Sequence, residues 1–308
     1  MIIVIAPQQS LIDTDRRSLA VRAIPTPAQF EALEKAIEQF IATLGKRFSE
    51  IAEEIPDEPD YCVPETRVAE IAERFKAARS ETIQSCFNTE SDTVYAWIDG
   101  EPSFQIALQK LGFTASGKKN PYEKIIELHL ARKKWRSHLI KSSVLRHATL
   151  HIAYVGGIAK ACHGFMTGNR RKAALEGPKA IQRMLSLMRE IEEIRENTDF
   201  LGRPISIGGR FWEMTKSNME GTLEHLFSTT KRDDKDLSAR LMASELIRLH
   251  VKLFSAAHKN AVFHLMGLPF IDRPIEMKTI ERLVALENVR TENLGSSKLI
   301  GAGREIIC

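Results

Sequence analysis

Residues 26–51 read TPAQFEALEKAIEQFIATLGKRFSEI. Thr26 suits a helix N-cap, because its hydroxyl can accept a backbone N–H that the first turn leaves without a partner. Pro27 suits the first helical position, where its missing N–H costs nothing. Phe30, Leu33, Ile37, Phe40, Ile41, Leu44, Phe48 and Ile51 then follow at steps of three and four, which places them in one apolar stripe. The same periodicity recurs along the chain and predicts a mainly α fold.

Pro56, Pro59 and Pro64 break the pattern, and a second helix follows with Val68, Ile71, Phe75 and Ala78 inward. Val94–Ile98, closed by Asp99-Gly100, reads as a short strand and turn. A long helix is predicted from Pro121 to about Tyr154, with Ile125, Ile126, Leu130, Leu139, Ile140 and Leu145 inward and Gly156-Gly157 as its stop. Thr167–Lys172 reads as a loop, and Pro178 opens the next helix, to about Asn197, with Ile181, Leu185, Met188, Ile191 and Ile194 inward. Pro204–Gly209 alternates like an edge strand, and Met1–Ala6 reads as a buried strand. Further helices are expected at 212–227, at 237–265 with Asp236 as N-cap, and at 274–288. The expected architecture is helical with a minor short β-ribbon. It divides into an acidic helical region 1–109, a basic helical core 110–294 with a short strand and carboxy-terminal helices, and a flexible tail 295–308.

Among 308 residues, 43% are hydrophobic and 27% charged, the balance of an ordinary globular chain. No apolar run reaches the roughly 18 residues that a membrane helix needs, and the amino-terminal apolar run has no basic stretch before it. Cys62, Cys86, Cys162 and Cys308 stand far apart with no CxxC pair, which fits free thiols in a reducing cytoplasm.

The net charge of +4 hides an asymmetry. Residues 1–109 hold 10 lysines and arginines against 19 acids, residues 110–189 hold 17 against 3, and residues 190–308 hold 17 against 18. A middle block at +14 repels itself unless counter-charge is near. A nucleic-acid backbone supplies such charge, and lysines and arginines that replace its counterions form a basic footprint. The expected phosphate contacts are Lys118, Lys119, Arg132, Lys133, Lys134, Arg136, Lys141, Arg146, Arg170, Arg171 and Lys172, with the arginines suited to bidentate guanine contacts. The expected partner is double-stranded DNA. The competing reading is that the acidic first third, or an acidic partner protein, neutralises the block. An anionic membrane surface fits less well, because the basic helix has no clean apolar face. Tyr122, Trp135 and Tyr154 lie among the cations, where they could stack on bases, but their helical spacing favours the core.

Few motifs carry chemistry. Gly112–Lys119 resembles a phosphate-binding GxxxxGK[ST] loop, but its last position is lysine, and no apolar strand precedes it. His147 and His151 share a helix face, a spacing that suits metal, and Cys162-His163 could approach after a turn. No carboxylate stands nearby in sequence, so structural or DNA-facing histidines are expected, with no metal. Arg132 and His138 loosely match the Arg-x(4–6)-His pattern of an all-helical ribonuclease family, in which histidine would move the proton and arginine would stabilise the phosphorane. That is the enzymatic alternative. The principal reading is not an enzyme and has no cofactor and no small-molecule substrate.

The stretch Ala239-Arg240-Leu241-Met242-Ala243-Ser244-Glu245-Leu246-Ile247-Arg248-Leu249-His250-Val251-Lys252-Leu253-Phe254-Ser255-Ala256-Ala257-His258, ending in Leu265-Met266-Gly267-Leu268, resembles the carboxy-terminal helix of AcaB-like regulators of conjugative plasmids and integrative conjugative elements. The resemblance implies an activator of conjugation genes that binds DNA as a homodimer, through a ribbon-helix-helix-like fold whose paired strands enter the major groove. Pro204–Gly209, flanked by Arg203 and Arg210, has the required strand-then-helix order.

Overall fold

The computed structural model describes residues 23–54, 65–112, 120–131, 137–198, 209–226 and 234–297. They form α1 (Pro27–Glu53), α2 (Glu65–Cys86), α3 (Thr89–Gly100), α4 (Pro102–Lys110), α5 (Pro121–Ala131), α6 (Ser137–Met166), α7 (Asn169–Asn197), α8 (Gly209–Leu226), α9 (Leu237–Phe254), α10 (Lys259–Leu265) and α11 (Met277–Ser297). No strand occurs among the described residues, so the expected β-ribbon is overturned. Gly209 begins α8, and residues 204–208, like Met1–Ala6, lie outside the described residues.

α1 forms as its sequence dictates. The Thr26 hydroxyl accepts from the Gln29 N–H at 3.4 Å, and the Gln29 side chain accepts from the Thr26 N–H at 2.8 Å. Phe30, Leu33, Phe40, Leu44 and Phe48 are buried without remainder. Phe48 meets Phe75 of α2 edge-on at 4.8 Å, and Phe30 meets Trp97 of α3 at 5.9 Å.

Val94–Ile98 is helix rather than strand. Asn88 caps α3 by accepting from the Ser91 N–H at 2.9 Å, and the Ser91 hydroxyl accepts from the Asn88 N–H at 2.8 Å. That reciprocal cap nucleates a helix across residues whose side chains alone favour a strand.

The expected long helix is two helices. His129 Nε2 and Ser143 Oγ lie 2.9 Å apart, whereas fourteen residues of continuous helix would separate them by about 21 Å. α5 and α6 therefore lie beside each other rather than end to end. Nor does Gly156-Gly157 stop α6, which runs on to Met166. A Cβ on Gly156 would stand 3.0 Å from Ile37 of α1, and one on Gly157 would stand 2.3 Å from Leu249 of α9. The two glycines let α6 lie close to both neighbours, which makes α6 the central rod of the molecule.

α7 opens at Asn169, after Gly168 in the left-handed region (φ 69°), so the expected loop is mostly first turn. Pro178 lies inside the helix rather than at its start and forgoes one backbone bond there. Of α7, only Ala174, Leu185 and Met188 are buried, so Ile191 and Ile194, expected inward, face solvent instead. α8 joins it through Glu192, which accepts from Trp212 Nε1 at 2.8 Å and Lys216 Nζ at 3.2 Å.

The expected helix 237–265 breaks after Phe254, where Ser255 and His258 take left-handed φ values of 59° and 42°. The His250 ring spans the break. Its Nδ1 lies 3.2 Å from the Ala257 carbonyl and its Nε2 lies 2.9 Å from Tyr154 Oη. Since the carbonyl can only accept, Nδ1 carries the proton and Nε2 accepts from the tyrosine. α11 closes this end, with the buried Glu287 taking two 3.0 Å bonds from the Arg248 guanidinium.

Candidate nucleic-acid interface

The basic block is distributed over α5, α6 and α7 and the connections between them. Lys118 and Lys119, Arg132, Lys133, Lys134 and Arg136, with Trp135, all lie outside the described residues. So does most of the GxxxxGK-like segment, of which Gly112 is described.

The remaining expected contacts separate by role. Lys141 is half-exposed on the second turn of α6. Arg146 is exposed, but its guanidinium donates to the Leu253 carbonyl at 3.4 Å, where it meets the negative end of α9. Arg170 forms an ion pair with Glu245 of α9. Its aliphatic stem lies across Gly164, where a Cβ would come within 2.7 Å of Arg170 Cγ. Arg146 and Arg170 therefore tie helices together. Arg171 is half-exposed and Lys172 is exposed on the first turn of α7.

Reading Pro178 as a helix start hid a larger cationic surface. With α7 continuous from Asn169, Lys172, Lys179 and Arg183 recur at steps of seven and four, and all three are exposed. They share one face over about 16 Å of helix, close to five base pairs of duplex at about 3.4 Å per phosphate along each strand. Among the described residues, none of the three forms an ion pair. The signal was the 3.6-residue period running through the proline.

Within the acidic first third, many charges are met locally. Lys35 pairs with Glu31, Arg47 with Glu81, Arg67 with Glu70, Arg74 with Glu54, and Lys76 with Glu73. Arg74 grips Glu54 with two 2.7 Å bonds, which hold that carboxyl below its usual range. The contact of α1 with the basic block at Glu34 is with a histidine, His163 Nδ1 at 3.2 Å. Burial pushes the Glu34 carboxyl up.

The histidines of α6 divide between core and surface. His147 and His151 face inward, toward α2 and α3. Tyr95 Oη lies 2.8 Å from His151 Nδ1, Asp99 Oδ1 lies 3.9 Å from His151 Nε2, and Arg79 Nε donates to the Ala148 carbonyl at 3.1 Å. Burial, helped by the Arg79 charge, holds both histidines down at about 4, so both are neutral at pH 7. Tyr122 packs edge-on to His147 at 6.1 Å, and burial raises its hydroxyl to about 12. Tyr154 is buried too, beneath His250. Cys162 is enclosed in the core, and burial pushes its thiol up. His138 is exposed on the first turn of α6, and its expected partner Arg132 lies outside the described residues. Among the described residues, no three His, Cys, Asp or Glu side chains gather in a metal-binding group, and no helix is long and apolar enough to cross a membrane.

Fold and surface together define an all-helical protein, over its described residues, with a cationic helix face. No protein-family profile, no curated protein and no solved structure matches the chain.

Proposed function

We propose that this chain is a DNA-binding transcriptional regulator that acts as a homodimer and grips the duplex backbone through the cationic face of α7 and the neighbouring basic segments. The observation that carries the reading is the exposed row Lys172, Lys179 and Arg183, set within a block of 17 cations and 3 acids. In the acidic first third, Glu31, Glu54, Glu70, Glu73 and Glu81 meet that region's own lysines and arginines rather than those of the basic block. Recognition would come from helices and connecting segments, with backbone contacts setting affinity and register.

A role in activating conjugative-transfer genes rests on the resemblance of residues 239–258. That stretch covers most of α9, whose Met242, Ala243, Leu246, Ile247 and His250 are buried. The resemblance therefore lies in a core helix, and the charge pattern is the stronger support.

The test is duplex-DNA binding by fluorescence anisotropy between about 50 and 200 mM salt. If the row contacts phosphates, affinity falls steeply with salt, and the K172A/K179A/R183A chain loses roughly three units of log–log slope. Unchanged affinity in that variant, with helical content intact, overturns the reading.

A further inference from the structure

We infer that α7 carries the self-association surface: an apolar stripe on which a second copy of the chain docks its own α7, parallel and in register. The inference rests on the homodimer proposed above and names its surface and orientation.

The stripe consists of Met184, Leu187, Ile191 and Ile194, which are 42%, 40%, 37% and 52% exposed. Their steps of three, four and three place them within about 80° on an ideal helix, at roughly 100° per residue. They do not belong to the α7 face turned inward, where Leu185 and Met188 are 5% and 7% exposed. One helix thus has two apolar faces, one covered by the fold and one open to solvent. Single exposed apolar residues are ordinary, but four in a row on one helix mark an interaction surface.

The spacing alternates as the a and d positions of a coiled coil, with Met184 and Ile191 at a, and Leu187 and Ile194 at d. Glu190 and Arg195 then occupy the flanking g and e positions. In a parallel pair, Glu190 of each copy faces Arg195 of the other, giving two opposite-charge contacts related by the two-fold axis. In the antiparallel pair that would match the same apolar residues, Glu190 meets its own symmetry mate, carboxylate against carboxylate. The charges therefore select the parallel arrangement. Arg195 already lies 3.8 Å from the exposed Glu196 and can turn to the partner at little cost. A parallel pair also puts both Lys172–Arg183 rows at the same end of the dimer, where one duplex can meet both.

The mass of the full chain in solution, by light scattering and sedimentation equilibrium, tests this directly. The expected mass is twice 34.8 kDa, and Leu187→Asp brings it to a monomer with helical circular dichroism retained. Because Leu187→Asp could disturb α7 itself, a charge reversal at the exposed flanks provides the second arm. Arg195→Glu and Glu190→Arg are each expected to weaken self-association roughly three- to tenfold at low salt, and a mixture of the two chains recovers it. A wild-type monomer overturns the inference, including one whose stripe is covered by residues 199–208 of its own chain. A dimer unmoved by Leu187→Asp overturns the surface, and a dimer indifferent to Arg195→Glu overturns the orientation. These outcomes are separate from DNA binding: a monomer that binds duplex overturns this inference and the homodimer with it but leaves the DNA-binding reading standing, and a dimer that binds none overturns the DNA-binding reading alone.

Discussion

Gly157 sets how closely α6 and α9 approach, since a Cβ there would stand 2.3 and 2.5 Å from the two methyls of Leu249. Two effects oppose each other in Gly157→Ala. Alanine favours the helix by about 1 kcal/mol, while forcing Leu249 aside in a packed interface costs roughly 1–3 kcal/mol. Because Leu249 is only partly buried, the expected result is a net loss of about 1 kcal/mol in urea unfolding, reduced when Leu249→Ala is added. At Gly156 the nearest contact is 3.0 Å, to an Ile37 methyl, so the same change there is close to neutral. In sequence the pair looks like a helix stop, because glycine serves both chain termination and close packing. Only the positions of Ile37 and Leu249, far away in the chain, decide between the two. Tyr154 shows the same limit from the other side, since its helical spacing marked it as core but nothing local pointed to His250. Tyr154→Phe leaves His250 Nε2 without the donor now 2.9 Å away. That change is expected to cost about 1–2 kcal/mol, read as a lowered urea midpoint with unchanged slope.

Among the elements, α1 was fully legible because cap, proline and stripe all agree. α3 was misread for want of one signal. The β-branched and aromatic run Val94–Ile98 points to a strand, while the pair Asn88 and Ser91, three residues apart, is the cap that decides for helix. Asn88→Ala is therefore expected to destabilise the protein by about 1 kcal/mol, and Asn88→Asp to be tolerated. α7 was misread at Pro178, which ordinarily marks a first turn, and the error shortened the cationic face by moving Lys172 into a loop. Of the exposed cations, Lys172 was named from sequence because charge is countable without structure, whereas Lys179 and Arg183 on the same face of α7 were not. What sequence could not show is that Arg146 and Arg170 spend their charge on the Leu253 carbonyl and on Glu245. The break between α9 and α10 left no mark either, since the apolar period runs through Ser255 unchanged.

For the molecule as a whole, the buried His151 and His250 and the half-buried His147 couple folding to acidity. His147, His151 and His250 are each held at about 4 by burial, against about 6.5 in an unfolded chain. Between those values the unfolded chain binds more protons, so stability is complete above about pH 6.5 and falls as the pH drops toward 4, by up to about 1.4 kcal/mol per pH unit for each histidine. Urea midpoints at pH 7.5, 6 and 5 should decline in that order, and His151→Gln should make the decline shallower. The crossing of α1 over α6 has a further consequence, for the order in which the chain can be made. Ile37 and Gly156 touch across 119 positions of sequence. At about 5–20 residues per second a ribosome delivers the second roughly 6–24 s after the first. Until then the stripe of Phe30, Phe40 and Phe48 has at most α2–α5 to cover it. A chain cut near residue 109 would keep it in that state, so nascent or truncated forms should depend on chaperones in a way the finished protein does not.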